Sequence, residues 1–340
     1  MGHYAAIAAA VAAVAIAAAL LLPGQQPSGQ PKSGPPKIAV VTDAQFADRG
    51  WGTSALEASK FIHSKYSVDV TAVDNVAIAD IESTLTSYAK QNYGLIIAHG
   101  FQWGDPALRV AKQYPNTKIV VFTGLVKSEN VASIFPMQQE GAFLLGALAG
   151  MMTKTNVVGF VGGEEYPNVV NIFEGYRQGA LAANPNVKVV KTYLNDWDNE
   201  RKGKEAASSL IVAGGADVMF HVADTSGHAV IAAAQERRVY ALGAVQDQNP
   251  LAPGTVLSSF VLDTDKAYDQ AVQMFLGGRF TGEIFKPGIE DKENGPGDGI
   301  VYIAPFHNLD ASVSPQVKER LGALEQGIVN GTLAVPERYD

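Results

Sequence analysis

From Lys37 onward the chain alternates short β-branched runs with longer segments of helical periodicity, and this alternation restricts its fold more than any other feature. The runs are Ile38–Thr42, Val68–Val73, Leu95–Ala98, Lys118–Phe122, Ala132–Phe135, Val157–Val161, Val187–Tyr193, Ala216–His221, Tyr240–Ala244, Val256–Phe260 and Ile300–Ile303. Between them lie apolar i, i+3, i+4 patterns, as in Ser54–Ser64, Gln139–Met152, Val169–Ala183 and Gly227–Glu236. Strands separated by helices of this length imply βαβ units and parallel sheets. Lys37–Lys60 and Val157–Ala180 share one layout of strand, polar turn, aromatic residue and Ala/Gly-containing helix. The expectation is an α/β chain of two doubly wound parallel-sheet lobes, with a cleft between their strand carboxyl ends. The first lobe would take 38–136 plus 261–300 and the second 139–258 plus 301–340. Val256–Phe260 would begin the return to the first lobe, and Pro287–Gly299 reads as a loop.

A different composition precedes this body. Ala5–Leu22 is an unbroken run of 18 apolar residues with no Lys or Arg ahead of it. Its length suits a membrane anchor or the core of an export signal, and the residues leave both open. Pro23–Pro36 carries eight Pro or Gly in fourteen positions, a composition that builds no core and reads as an extended tether. The expected plan is therefore anchor or signal over 1–22, linker over 23–37, and a folded body over 38–340 outside the cytoplasm.

Cysteine is absent, which excludes disulfides, thiol nucleophiles and thiolate metal sites. The net charge of −8 argues against nucleic-acid binding, which needs clustered Lys and Arg. His221, Asp224, Ser226 and His228 match no zinc spacing, and Ser226 lacks a nucleophile-elbow context. Gly159–Gly163 lacks dinucleotide spacing and is accounted for by a tight turn. These readings nominate no catalytic residue, metal ligand or cofactor.

The candidates for ligand contact lie just after strands. Asp43, Phe46, Asp48 and Trp51 follow the first run, and Phe101 follows the third. Gly163 ends the Val157–Val161 segment, with Phe173 in the helix beyond; Trp197 follows the next run. Asp224 begins a loop and helix near the cleft, and Gln246 and Asp247 follow Tyr240–Ala244. Aromatic rings there can stack on a planar ligand, and Asp can accept hydroxyl hydrogen bonds. Asp105 before Pro106 reads as a helix N-cap, and Asp198 as a cap for the helix at Glu200.

Four of these stretches occur in the order and spacing of a known family. Gly141–Gly150 (Gly-Ala-Phe-Leu-Leu-Gly-Ala-Leu-Ala-Gly), residues 158–180, Gly215–Val218 and Gln246–Gln248 together resemble the basic membrane protein family, solute-binding components of ABC transporters that include purine-nucleoside receptors. The resemblance implies a type I periplasmic-binding-protein fold and a purine nucleoside (adenosine, guanosine or inosine) held between lobes. It implies as partners an ABC permease with its ATPase subunits, and the membrane through the N-terminal segment. Trp51 and Phe173 would sandwich the base, and Asp247 would face the sugar. Three departures stand out: Phe46-Ala47-Asp48 replaces Phe-Asn-Gln, Val245 replaces an acid, and Leu262 replaces a lysine. A ribose contact would then rest on residues such as Asp48, Asp224 or Gln246. Alternative readings are a receptor for a free nucleobase, a sugar receptor of the same fold, or a nucleoside-acting hydrolase.

Overall fold

The computed structural model describes residues 36–289 and 299–339. The apolar run, nearly all of the tether and most of the Pro287–Gly299 loop lie outside the described residues. Among the described residues, no helix is long and apolar enough to cross a membrane.

Two six-stranded sheets organise the body. The first contains β1 (Lys37–Thr42), β2 (Asp69–Val73), β3 (Leu95–His99), β4 (Lys118–Phe122), β5 (Val131–Ile134) and β11 (Ile284–Phe285), in the order β11-β5-β4-β3-β1-β2. The second contains β6 (Val157–Gly162), β7 (Lys188–Tyr193), β8 (Val218–Val222), β9 (Tyr240–Val245), β10 (Val256–Leu262) and β12 (Val301–Ile303), in the order β12-β10-β9-β8-β6-β7. Every pairing among these strands is parallel except β10 with β12. The repeat seen in the sequence has a structural counterpart, because β1 and β6 occupy matching places in the two orders. In each sheet the chain reverses winding beside that strand, at β1/β3 and at β6/β8. Loops leaving the carboxyl ends diverge there and open a crevice.

Burial follows the two-residue period of a strand. Ile38 and Val40 face one side of the first sheet with Ala55, Ala58 and Ile62 of α1 (Trp51–Tyr66) and with Ala271 and Val272 of α8 (Thr264–Leu276). Ala39 and Val41 face the other side, covered by Leu85 of α2 (Ile81–Lys90) and Val110 of α3 (Gly104–Gln113). The second sheet is covered likewise. Phe160 and Phe220 pack towards α4 (Gln138–Met152), α5 (Pro167–Ala183) and α9 (Pro315–Val329). Val161 and Met219 face α6 (Glu200–Val212) and α7 (Asp224–Arg237).

Three details differ from the sequence reading. β10 runs to Leu262 and stays in the second sheet, pairing Phe260 with Ile303, so the chain leaves that sheet at Asp263 rather than at 258. β11 is only two residues long, too short to leave a pattern. Asp105 is no N-cap: α3 begins at Gly104, no side chain caps it, and Asp105 lies inside its first turn.

Candidate functional site

The carboxyl ends of β1, β3, β4, β6, β7, β8 and β9 converge on one cleft of about 710 Å³, part of it open to solvent. The first lobe contributes Asp43, Asp48, Trp51, Phe101, Gln102 and Thr123, and the second contributes Tyr166, Asn168, Trp197, Asp198, Asp224 and Val245. Residues nominated from both halves of the sequence thus meet in one cavity.

The rings are held by specific supports. Trp51 lies against His99, ring centroids 3.8 Å apart, and stacks on Phe122 at 5.5 Å. His99 Nε2 donates to the Trp51 carbonyl (3.1 Å), which leaves Nδ1 to accept the Tyr268 hydroxyl (2.9 Å). Burial keeps this imidazole neutral, its pKa pushed down to about 3. Across the cleft, Trp197 sits over Gly163, where a Cβ would overlap the indole. Gly163 does not line the cavity; it seats the ring that does. Trp197, Tyr166 and Phe101 form a chain of rings at centroid spacings of 6.1 and 6.3 Å, the second of which joins the two lobes. Tyr166 precedes Pro167, the first residue of α5, and is held extended at φ −75°, ψ 151°.

Phe173 is placed elsewhere. It is 4% exposed, packs against Phe160 at 5.1 Å, and carries Lys191 Nζ 4.5 Å from its ring centroid. Its position on α5 matches the buried stripe Val169, Tyr176 and Ala180, so it belongs to the core of the second lobe. The second lobe's rings in the cleft are Tyr166 and Trp197.

The polar candidates separate into two groups. Asp48 reaches the cleft but is engaged at the start of α1, accepting from the N–H groups of Gly50 (2.8 Å), Gly52 (2.6 Å) and Thr53 (3.0 Å) and from the Thr53 hydroxyl (3.1 Å). This is the favourable end of a helix for an anion. Asp43 accepts from Gln102 and from the Trp103 indole N–H (3.2 Å). Phe46, Gln246 and Asp247 do not line the cavity. The Phe46 N–H donates to Asp74 (2.8 Å), Gln246 donates to Glu57 of α1 (3.1 Å), and Asp247 pairs with His307 (2.5 Å). Asp247 is therefore committed to His307 rather than turned to the cleft. Asp198 lines the cleft instead of capping α6, whose N-cap is Asn199, accepting from the Lys202 N–H at 3.1 Å.

Burial dominates the electrostatics. Desolvation raises the pKa of Asp43, opposed by the hydrogen bonds from Trp103 and Gln102. Asp198 is also raised, by desolvation and then by Asp196. Asp224 is half-buried in the cleft wall, and its carboxyl lies well above the usual range, pushed by desolvation and by Asp48, Asp43 and Asp198. Among the described residues no hydrogen bond reaches its carboxylate. Such a group favours the fold fully only below its unfolded pKa of about 4, and that contribution is lost as pH rises through the higher folded value. The unliganded protein should therefore gain stability as pH falls from neutrality into the mildly acidic range. Asp224→Asn, which keeps the shape of the protonated acid, is expected to stabilise it at neutral pH by on the order of 1–3 kcal/mol. Thermal melts at two pH values check this: the variant's advantage should shrink in acid, and an equal or lower Tm at neutral pH would contradict it.

Among the described residues, three non-glycine residues with positive φ line the cleft: Thr123 (61°), Asp224 (42°) and Val245 (70°), each at or just beyond the carboxyl end of a strand. For β-branched Val245 this is a genuine outlier, of the kind that concentrates at ligand sites. Gln102, Thr123, Tyr166 and Asn168 were missed in the sequence. The available signal was position alone, in the segments that follow the carboxyl ends of strands.

Comparison with known proteins agrees with this architecture. Residues 36–338 match the family model for Bmp, described as ABC transporter substrate-binding protein PnrA-like. The chain is 28% identical over 264 residues to a purine-binding protein of Brucella abortus (strain 2308), covering 77% of this chain and 73% of that one. It is 30% identical over 247 residues to the transcriptional activator protein med of Bacillus subtilis (strain 168), covering 72% and 77%. A crystal structure of an ABC transporter system solute-binding protein from Aeropyrum pernix K1 superposes with a TM-score of 0.79 at 22% identity, covering 90% of this chain and 95% of that one; this similarity supports the type I periplasmic-binding fold. With the match running through nearly the whole described body, the chain belongs to the Bmp family of PnrA-like ABC transporter substrate-binding proteins.

Proposed function

We propose that the protein captures a purine, in the first instance a purine nucleoside, between its lobes and delivers it to an ABC permease from the outer side of the membrane. The observation that carries this reading is that rings from both lobes line one cleft: Trp51 and Phe101 from one side, Tyr166 and Trp197 from the other. A planar heterocycle is the ligand such walls suit, and the purine-binding relative from Brucella abortus supports the choice. The gap between lobes gives closure a direct role, since a ligand touching both lobes favours the closed arrangement by its differential affinity. Asp43, Asp198, Asp224 and Asn168 are the acceptors that would take ring amino groups or sugar hydroxyls. Phe173 and Asp247 take no part in binding, and Tyr166 and Trp197 supply the second lobe's stacking faces.

Isothermal titration of the full-length protein with adenosine, guanosine, inosine and the corresponding free bases tests the reading. Saturable heat with at least one purine is expected, and no heat with any of them would overturn it. A free nucleobase is the second reading, favoured by the engagement of Asp247 with His307 and by apolar Val245 in the cleft wall. Tighter binding of adenine than of adenosine would select it.

A further inference from the structure

The cleft is one-sided in charge. Asp43, Asp48, Asp198 and Asp224 line it, and among the described residues no Lys, Arg or His does. Asp48 is buried, Asp43 and Asp224 are half-buried and Asp198 is exposed; carboxylates drawn out of water are ordinarily matched by basic side chains or metal ions. Of the nearby bases, His228 lies outside the cavity wall but close enough to Asp48 to interact with it, and two others are turned to other work. Lys202 pairs with Asp196 at 2.9 Å, and His221 faces Gln248 at 2.9 Å. Asp48 is satisfied by the start of α1, and Asp43 meets only the neutral donors Gln102 and Trp103. Asp198 meets the neutral Thr225 hydroxyl, no hydrogen bond reaches the Asp224 carboxylate among the described residues, and the buried Oδ1 of Asn168, a further acceptor, has no partner.

The walls that separate these acids are aromatic. Indole and phenol faces attract cations, most strongly where water is excluded. Trp51, Tyr166 and Trp197 beside unmatched carboxylates therefore favour a ligand that is both flat and positively charged. A neutral purine satisfies the rings but leaves negative charge in the cleft. A phosphorylated one adds to it.

We propose that the cleft recognises a planar heterocycle bearing positive charge on its ring, such as an N-methylated purine nucleoside, in preference to its neutral counterpart. The inference rests on the purine reading and sharpens it to a charge class. Asp198, in the second lobe, provides the countercharge; a ring cation seated beside Asp224 favours its ionised form over the neutral one that desolvation favours in the empty cleft, and the rings of Trp51 and Trp197 provide the faces.

The test compares ligands of one shape and different charge. Full-length protein is titrated with 7-methylguanosine, in a slightly acidic buffer that keeps its ring cationic, and with 7-methyl-7-deazaguanosine, which carries the same methyl group without the charge. Guanosine is the third arm. The cation is expected to bind about tenfold tighter than its neutral isostere, and the Asp198→Asn/Asp224→Asn double variant should reduce that ratio below about threefold. Equal or weaker binding of the cation overturns this inference and leaves the purine reading standing, provided guanosine or the isostere binds. A tenfold ratio that survives the double substitution overturns the assignment to these two acids. Failure of all three ligands, with adenosine and inosine also inert, overturns both readings together.

Discussion

Replacing Gly179 with alanine should destabilise the protein by about 3 kcal/mol or more, at the upper end of what overpacking costs. Helices α4 and α5 cross with their backbones in close approach. A Cβ at Gly179 would overlap the Phe143 carbonyl oxygen, one at Gly146 would overlap that of Tyr176, and one at Gly175 that of Gln139. These obstacles are main chain, so no rotamer change relieves them, and the helices would have to separate. Separation would open the core that holds Phe160, Phe173 and Tyr176. Alanine's better helix propensity returns only about 1 kcal/mol. Gly322 in α9 supplies the contrast, because a Cβ there meets nothing within 4 Å. Gly322→Ala should stabilise by about 0.5–1 kcal/mol. Denaturant melts of the two variants should move in opposite directions, and a neutral Gly179→Ala would contradict the described helix crossing.

Trp197→Ala carries the largest expected effect on binding. The indole is the second lobe's largest ring in the cleft, and its floor at Gly163 leaves one face for a ligand. Removing a ring that stacks on a base costs about 2–3 kcal/mol, which is roughly thirty- to over a hundredfold in affinity. Stability should change far less, because Trp197 is only partly buried. Phe173→Leu should show the reverse pattern, a loss of stability with little loss of affinity, since its ring contacts Phe160 and Lys191 instead. Affinity that falls with Phe173 and not with Trp197 would return the stacking role to the helix.

The fold was largely legible because its signal is repeated. Strand and helix periods alternate along most of the body, and an error at one boundary leaves the others intact. The site was legible only in part. Trp51, Phe101 and Trp197 follow strands directly, and strand carboxyl ends are where such sheets bind ligands. Phe173 misled because its distance from Gly163 fits a cleft position, whereas its helical phase with Tyr176 and Ala180 turns it into the core. Tyr166, next to Pro167, occupies the position that Phe173 was expected to fill. The pairing of Asp247 with His307 joins residues sixty apart through the tertiary fold, and no local pattern announces it. Asp48 shows a related difficulty: a carboxylate near a helix start serves the helix as readily as a ligand.

The family's substrate-binding role and the two-sheet fold stand on the match across residues 36–338, while the purine rests on the walls of one cleft. A crystal structure of the full-length protein with its tightest-binding purine tests that point most directly. The purine ring is expected within about 4 Å of the Trp197 indole, a normal carbon–carbon contact distance, with Asp224 or Asp198 hydrogen-bonded to a donor on the ligand. A purine seated away from Trp197, Tyr166 and Trp51, or a cleft left empty while the purine binds elsewhere, would contradict it.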